Sequence, residues 1–229
     1  GAVPAPDELK TWYDLEYGGP LVLRADEQEP ESWLATHGPW TAHIVMPLPA
    51  SHIAGLKAQL AWEHEHVGAV APSLMPPRDM PDSILFAARL ARGLTLLTQG
   101  TAYDITTNQY VNPSDWQDRP LTSFVVGDHI PIVRGDDEPN RRTWCYTLGL
   151  SKFGVDELEM FLPLGLPDQP LRDMLRDTAD ELIRTGQSPK VGSHISLGLG
   201  QNVAIANHRT AAPAGRMLGF REIRPLPAG

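Results

Sequence analysis

The chain has 229 residues, 41% hydrophobic and 21% charged, with a formal net charge of −9 and one cysteine. That balance excludes wholesale disorder, and the lone Cys145 excludes an intrachain disulfide. No apolar run approaches the roughly 20 residues that span a bilayer. The leading GAVPAPDELK lacks the basic region and apolar stretch of a secretory signal. A cytoplasmic protein without membrane contact is expected.

Residues 1–40 are rich in Pro, Gly and acids and carry Trp12, Tyr13, Tyr17, Trp33 and Trp40. Large aromatics in such a stretch predict an irregular segment pinned onto a core. Thr41–Leu48 reads as a first strand, Ala50–Trp62 as a helix with Ile53, Leu56, Leu60 and Ala61 at helical spacing, and Val67–Leu74 as a second strand. Three prolines in Met75–Pro81 break the chain. A helix then starts at Asp82 or Ser83, with Ile84, Ala87, Ala88, Ala91 and Leu94 as its stripe, and closes near Gly100. Thr101–Ile105 and Gln109–Val111 form a hairpin around Thr107-Asn108, and Pro113–Pro120 is a polar loop holding Trp116.

Phe124–Arg134 reads as a strand interrupted at Gly127-Asp128 by a bulge. A turn over Asp136–Asn140 precedes strands at Thr143–Leu150 and Glu157–Leu162. Pro170–Arg184 is a helix with Asp168 as cap and Leu171, Met174, Leu175, Thr178 and Leu182 as its buried stripe. Arg176 with Asp180, and Asp180 with Arg184, fall at i,i+4 on its outer face. Gly186 ends it, and Ile195–Leu199, Val203–Asn207 and Met217–Arg224 supply closing strands. The order lacks the regular alternation of a doubly wound sheet. It predicts an α+β fold, with mixed, mainly antiparallel sheets and two or three helices packed on one face. Two halves of similar layout are expected, residues 1–120 and 121–229.

Charge is unevenly spread. Through residue 66 there are ten acids against three bases, whereas the rest holds 18 against 16. Such a first third repels phosphate backbones, which argues against nucleic-acid binding, and attracts a basic protein. A solvated face that keeps the chain soluble would have the same composition.

Motifs for chemistry are sparse. Trp62-Glu63-His64-Glu65-His66 lacks the HExxH spacing that puts two His on one helical face, and one cysteine excludes thiolate-rich zinc sites; no metal or cofactor is expected. Gly149-Leu150-Ser151-Lys152-Phe153-Gly154 is not the G-x-S-x-G elbow, since its second Gly lies one residue too far. Cys145 reads as a small buried hydrophobe. Asp104, Asp128 and His129 suit acid–base work, but nothing in their order brings them together. Gly192–Gly200 matches no phosphate loop, and its alternating Ile195, Leu197 and Leu199 say strand. Lys152-Phe153, between two glycines, is either an exposed interaction point or a core aromatic beside a solvated cation.

The run Tyr146-Thr147-Leu148-Gly149-Leu150-Ser151-Lys152-Phe153-Gly154, followed by Glu157-Leu158-Glu159, resembles the hallmark of an uncharacterised bacterial family, domain of unknown function 4261. That family shows Thr-x-Gly-Leu, Lys-Phe-Gly and Glu-apolar-Glu, then a helix and a Gly-Asp-Thr turn. Gly192-Ser193-His194 stands here in place of that turn. The resemblance spans residues 124–224. It implies a stand-alone cytosolic chain whose glycines and paired glutamates determine the fold. Some such proteins look like immunity proteins that neutralise a competitor's toxin.

The resemblance and the acidic first third together predict a non-catalytic module that occludes a cognate, basic toxin. The expected contacts are Asp26, Glu27, Glu29 and Glu31 with Trp33 nearby, and Lys152 and Phe153 on the corner. The alternatives are a hydrolase-like enzyme of unknown reaction, with a pocket between the halves and no assigned catalytic residue, or a component of a larger assembly.

Overall fold

The computed structural model describes residues 4–26, 32–46, 67–197 and 201–227. The expected helix at Ala50–Trp62, the Trp62–His66 stretch and Glu27, Glu29 and Glu31 lie outside the described residues. The fold is α+β, with sheets that are mainly antiparallel. The chain forms two units, residues 1–103 with 110–124 and residues 104–109 with 125–229. The first unit extends past residue 120 because Leu121 is buried beside Leu85, Val111 and Trp116.

In the first unit, α1 (Pro6–Tyr17) begins with a proline, whose missing N–H costs nothing in the first turn. The Glu8 carboxylate accepts the Ala5 N–H at 2.8 Å. The left-handed Gly18 closes the helix. Leu9 and Tyr13, one turn apart, are fully buried. The strands β1 (Val22–Ala25), β2 (Ser32–His37), β3 (Trp40–Val45) and β4 (Ala69–Pro72) pair antiparallel in sequence order. The aromatic-rich start is therefore a helix and strands rather than an irregular segment, because Leu9, Tyr13 and Tyr17 fall at helical spacing and Trp33 and Trp40 pack from β2 and β3 against the same core.

The second helix, α2 (Met80–Thr98), starts two residues before the expected cap and is followed by the hairpin β5 (Ala102–Asp104) and β6 (Gln109–Val111). Of the expected stripe, Ala87 and Leu94 are buried, while Ile84, Ala88 and Ala91 are half-buried and Leu85, Phe86 and Leu90 are buried instead. Phe86, Leu90 and Leu94 join Leu9, Tyr13, Leu21, Ala35, Ala42 and Ile44 in one core, while Leu85 serves a second cluster. Two cores on two sides explain why an Ala-rich stripe misled. Arg92, also buried, donates to Glu16 Oε1 at 2.8 Å and to the Tyr17 hydroxyl at 3.0 Å, so the guanidinium is paired where desolvation would otherwise be costly.

Gly93 lets α2 pack closely on α1. A Cβ there would lie 2.6 Å from the Trp12 ring and 2.9 Å from Leu9 Cδ1. Gly93→Ala is expected to cost about 1–2 kcal/mol, because overpacking of about 1–3 kcal/mol exceeds the gain in helix propensity. The urea midpoint should fall with an unchanged slope; an unchanged or raised midpoint would contradict the packing.

The second unit is built on a six-stranded sheet, in the order β10 (His194–Ser196), β11 (Asn202–Ala211), β12 (Leu218–Pro225), β9 (Glu157–Pro163), β8 (Arg142–Thr147), β7 (Ile132–Asp137). All neighbours are antiparallel except β12 and β9. Val126–His129 is one helical turn, α3, where an interrupted strand was expected. Pro131 ends it, since it has no N–H to continue the helix.

Helix α4 (Gln169–Thr185) packs on β7, β8 and β9 through Leu175, Thr178, Ala179, Leu182 and Ile183. Arg176 and Arg184 pair with Asp173 and Glu181 at i,i+3 rather than with Asp180 at the expected i,i+4, while Arg172 pairs with Asp168 at i,i+4. Cross-strand register divides the sheet: Thr143 and Cys145 share a face with Leu162 and Met160, and Trp144 and Tyr146 share the other with Phe161 and Glu159.

Candidate functional site

The connection from β8 to β9 is an ordered corner. Gly149, at φ 109, leaves the strand in a conformation that side chains resist. A Cβ there would meet the His129 carbonyl and Thr107 Cγ2, each at 2.9 Å. A 3-10 turn over Leu150–Phe153 follows, and Gly154, at φ 70, returns the chain to β9.

The corner is closed by a carboxylate. Glu157 is 2% exposed and accepts four hydrogen bonds. The Thr147 hydroxyl donates at 2.8 Å, and the backbone N–H groups of Gly149, Leu150 and Ser151 donate at 2.9, 3.2 and 3.3 Å. Thr147 Oγ1 in turn accepts the Leu158 N–H at 2.8 Å. Successive N–H groups turned toward one anion form a backbone nest, and this chain fills it with its own side chain. Burial pushes the Glu157 carboxyl above its ordinary range, and the four donors oppose that shift without overcoming it.

Two residues on, Glu159 is 1% exposed. Trp144 Nε1 donates to it at 2.8 Å and the Arg209 guanidinium at 2.8 and 2.5 Å. That guanidinium also lies over the rings of Trp144, Phe220 and Phe161, at 5.1, 5.6 and 5.8 Å from their centroids. Burial raises the Glu159 carboxyl, Arg209 and Trp144 oppose the rise, and Glu222 adds to it.

A third cluster joins the corner to the tip of the β5–β6 hairpin. The Lys152 ammonium pairs with Asp104 and donates to the His129 carbonyl at 3.1 Å. Asp104 Oδ1 accepts from the Thr106 N–H at 2.9 Å and its hydroxyl at 2.6 Å. Burial pushes the Asp104 carboxyl up, but the Lys152 charge and the hydrogen bonds from Lys152 and Thr106 outweigh it and hold the group below its ordinary range. Of the three acid–base candidates, the structure brings Asp104 and the His129 backbone to one cation.

These shifts have opposite signs in stability. Asp104 contributes above its unfolded value of about 3.8 and loses that contribution as pH falls through its lower folded value. Glu157 and Glu159 contribute fully below about 4.5, and their contribution wanes as pH rises through their higher folded values. Asp104→Asn is therefore expected to flatten the loss of stability as pH falls below about 4, read by urea unfolding at stepped pH. An acid limb as steep as that of the unsubstituted chain would contradict the assignment.

The expected partner contacts are distributed as follows. The Asp26 N–H bonds to the Ser32 carbonyl at 2.9 Å, closing β1 onto β2. Trp33 packs against the core of the first unit and stands opposite Ile44. Lys152 and Phe153 form no exposed point: Phe153 is 6% exposed and Lys152 turns inward to Asp104. The corner is tight enough to bury the aromatic and pair the cation. Cys145 is buried, and burial pushes its thiol up, which disfavours a thiolate nucleophile.

Sequence reading missed Arg209 and the Asp156 cluster, in which Arg221 Nε donates to Asp156 at 2.9 Å and His208 Nε2 lies 3.3 Å away. Among the described residues, no group of three or more His, Cys, Asp or Glu is placed to hold a metal, and no helix is long and apolar enough to cross a membrane. The chain matches no family model, no curated protein and no solved structure.

Proposed function

We propose that this chain is a non-catalytic protein-binding module of the bacterial cytoplasm, an immunity protein related to domain of unknown function 4261 that occludes a basic toxin. The observation that carries the reading is the acidic outer side of α1. Asp7 and Glu8 are exposed there, Glu16 is exposed while one of its oxygens pairs with Arg92, and Leu15 stands 83% exposed. An apolar anchor within an acidic rim is the anatomy of a surface that meets a basic partner. Asp26, Glu27, Glu29 and Glu31 extend the same charge along the chain. The same acids disfavour nucleic acid as the partner.

The buried carboxylates agree with this reading. Glu157 and Glu159 spend their acceptor capacity on internal donors, which fits fold-determining roles. Co-expression with the products of the genes that flank its own tests the proposal. A stable complex with a basic protein, whose toxicity the complex abolishes, is expected. Turnover in a phosphatase and esterase panel, with no such complex, would favour the hydrolase alternative and overturn the proposal.

A further inference from the structure

Residues 104–109 belong to the second unit, although the chain on both sides of them belongs to the first. Two cations from separate segments fasten this hairpin tip. Lys152, from the corner, pairs with Asp104. Arg216, from the turn before β12, donates to the carbonyls of Ile105 and Thr106, the latter at 2.7 Å. Within the tip, Asp104 gathers Thr106, and the Asn108 N–H bonds to the Asp104 carbonyl at 2.9 Å.

Apolar burial contributes little to this attachment. Thr107 is buried against Gly149, but Ile105 is 61% exposed. A segment held by charge and hydrogen bonds, with few buried apolar atoms, lies at the low end of local stability. Among the described residues, Lys152 from the corner pairs with Asp104, His129 from α3 meets Lys152 through its carbonyl, and Arg216 from the β12 turn meets the neighbouring Ile105 and Thr106 carbonyls.

We propose that the Asp104–Lys152 pair is a releasable clasp, and that residues 104–109 are a strap that opens when the pair is discharged or screened. Opening turns the Lys152 ammonium out to water and uncovers the backbone of Gly149, while β8 and β9 stay closed around Glu157. The device is built from groups whose charge changes with acid or whose attraction weakens with salt. The proposal is independent of the immunity reading.

Amide hydrogen exchange of the full chain tests it. In Lys152→Met, exchange across 104–109 should rise at least about tenfold, with β8 and β9 unchanged. Asp104→Asn should match it, and the double variant should add nothing further. Unchanged tip exchange in a folded Lys152→Met would overturn the clasp. So would a parallel rise in β8 and β9, since the corner would then be opening as a whole. If the variant fails to fold, the unsubstituted chain at about 1 M salt against about 0.05 M reads the same quantity. Faster tip exchange at high salt supports the clasp, and equal exchange refutes it.

Discussion

Replacing Glu157 by alanine is expected to lower stability by about 3–5 kcal/mol. The side chain is almost wholly buried and satisfies three backbone N–H groups and one hydroxyl. Each buried donor left without a partner costs about 1–3 kcal/mol. Partial relaxation and water entry keep the total below the sum of four such losses. Glu157→Gln retains the shape but places an amide N–H₂ among donors, so a smaller loss of about 1–3 kcal/mol is expected. Urea unfolding at pH 7 reads both. Formate, a carboxylate without the side chain, should recover part of the stability of Glu157→Ala and none in the unsubstituted chain. A loss under about 1 kcal/mol for the alanine variant would mean that the nest does not hold the corner.

The second large effect is expected at Arg209. Its removal leaves the Glu159 carboxylate, 1% exposed, without its cation and with the neutral Trp144 N–H as its remaining donor among the described residues. Breaking one side of a buried pair costs about 3–5 kcal/mol, more than the pair itself contributes, because the remaining charge is uncompensated. Arg209→Met keeps much of the packing on Trp144, Phe161 and Phe220, so the electrostatic part is isolated. The loss should depend on pH. Without the cation the folded Glu159 holds its proton to higher pH than the unfolded chain does, so the variant should gain stability as pH falls from about 7 toward 5. Adding Glu159→Gln should restore much of the loss. A pH-independent loss that Glu159→Gln does not relieve would place the cost in packing instead.

How much of this was legible in the chain varies with the range of the interaction. Strand β9 and helices α2 and α4 follow from local periodicity, and the positive φ of Gly149 and Gly154 follows from residue type and position. Helix α1 was hidden by its Pro- and acid-rich flanks, although Leu9 and Tyr13 already lay one turn apart. In Glu157-Leu158-Glu159-Met160 the acids alternate with apolar residues. Both faces of β9 are covered here, and the glutamates are satisfied internally.

The partners that decide this are distant in the chain. Arg209 lies 50 residues from Glu159, and Asp104 lies 48 from Lys152. No local pattern encodes such a pair, because it forms only when sheet order and the hairpin tip bring the segments together. The exposed reading of Lys152 and Phe153 failed for the same reason: their neighbours come from elsewhere in the chain.

Association kinetics with the proposed basic partner would test the central proposal, that early negative charge guides docking. Stopped-flow rates would be compared for the unsubstituted chain and for a variant with Asp26, Glu27, Glu29 and Glu31 all changed to alanine. At low salt the variant should associate about tenfold more slowly, and the two rates should converge as salt rises. Equal rates at low salt would contradict the account.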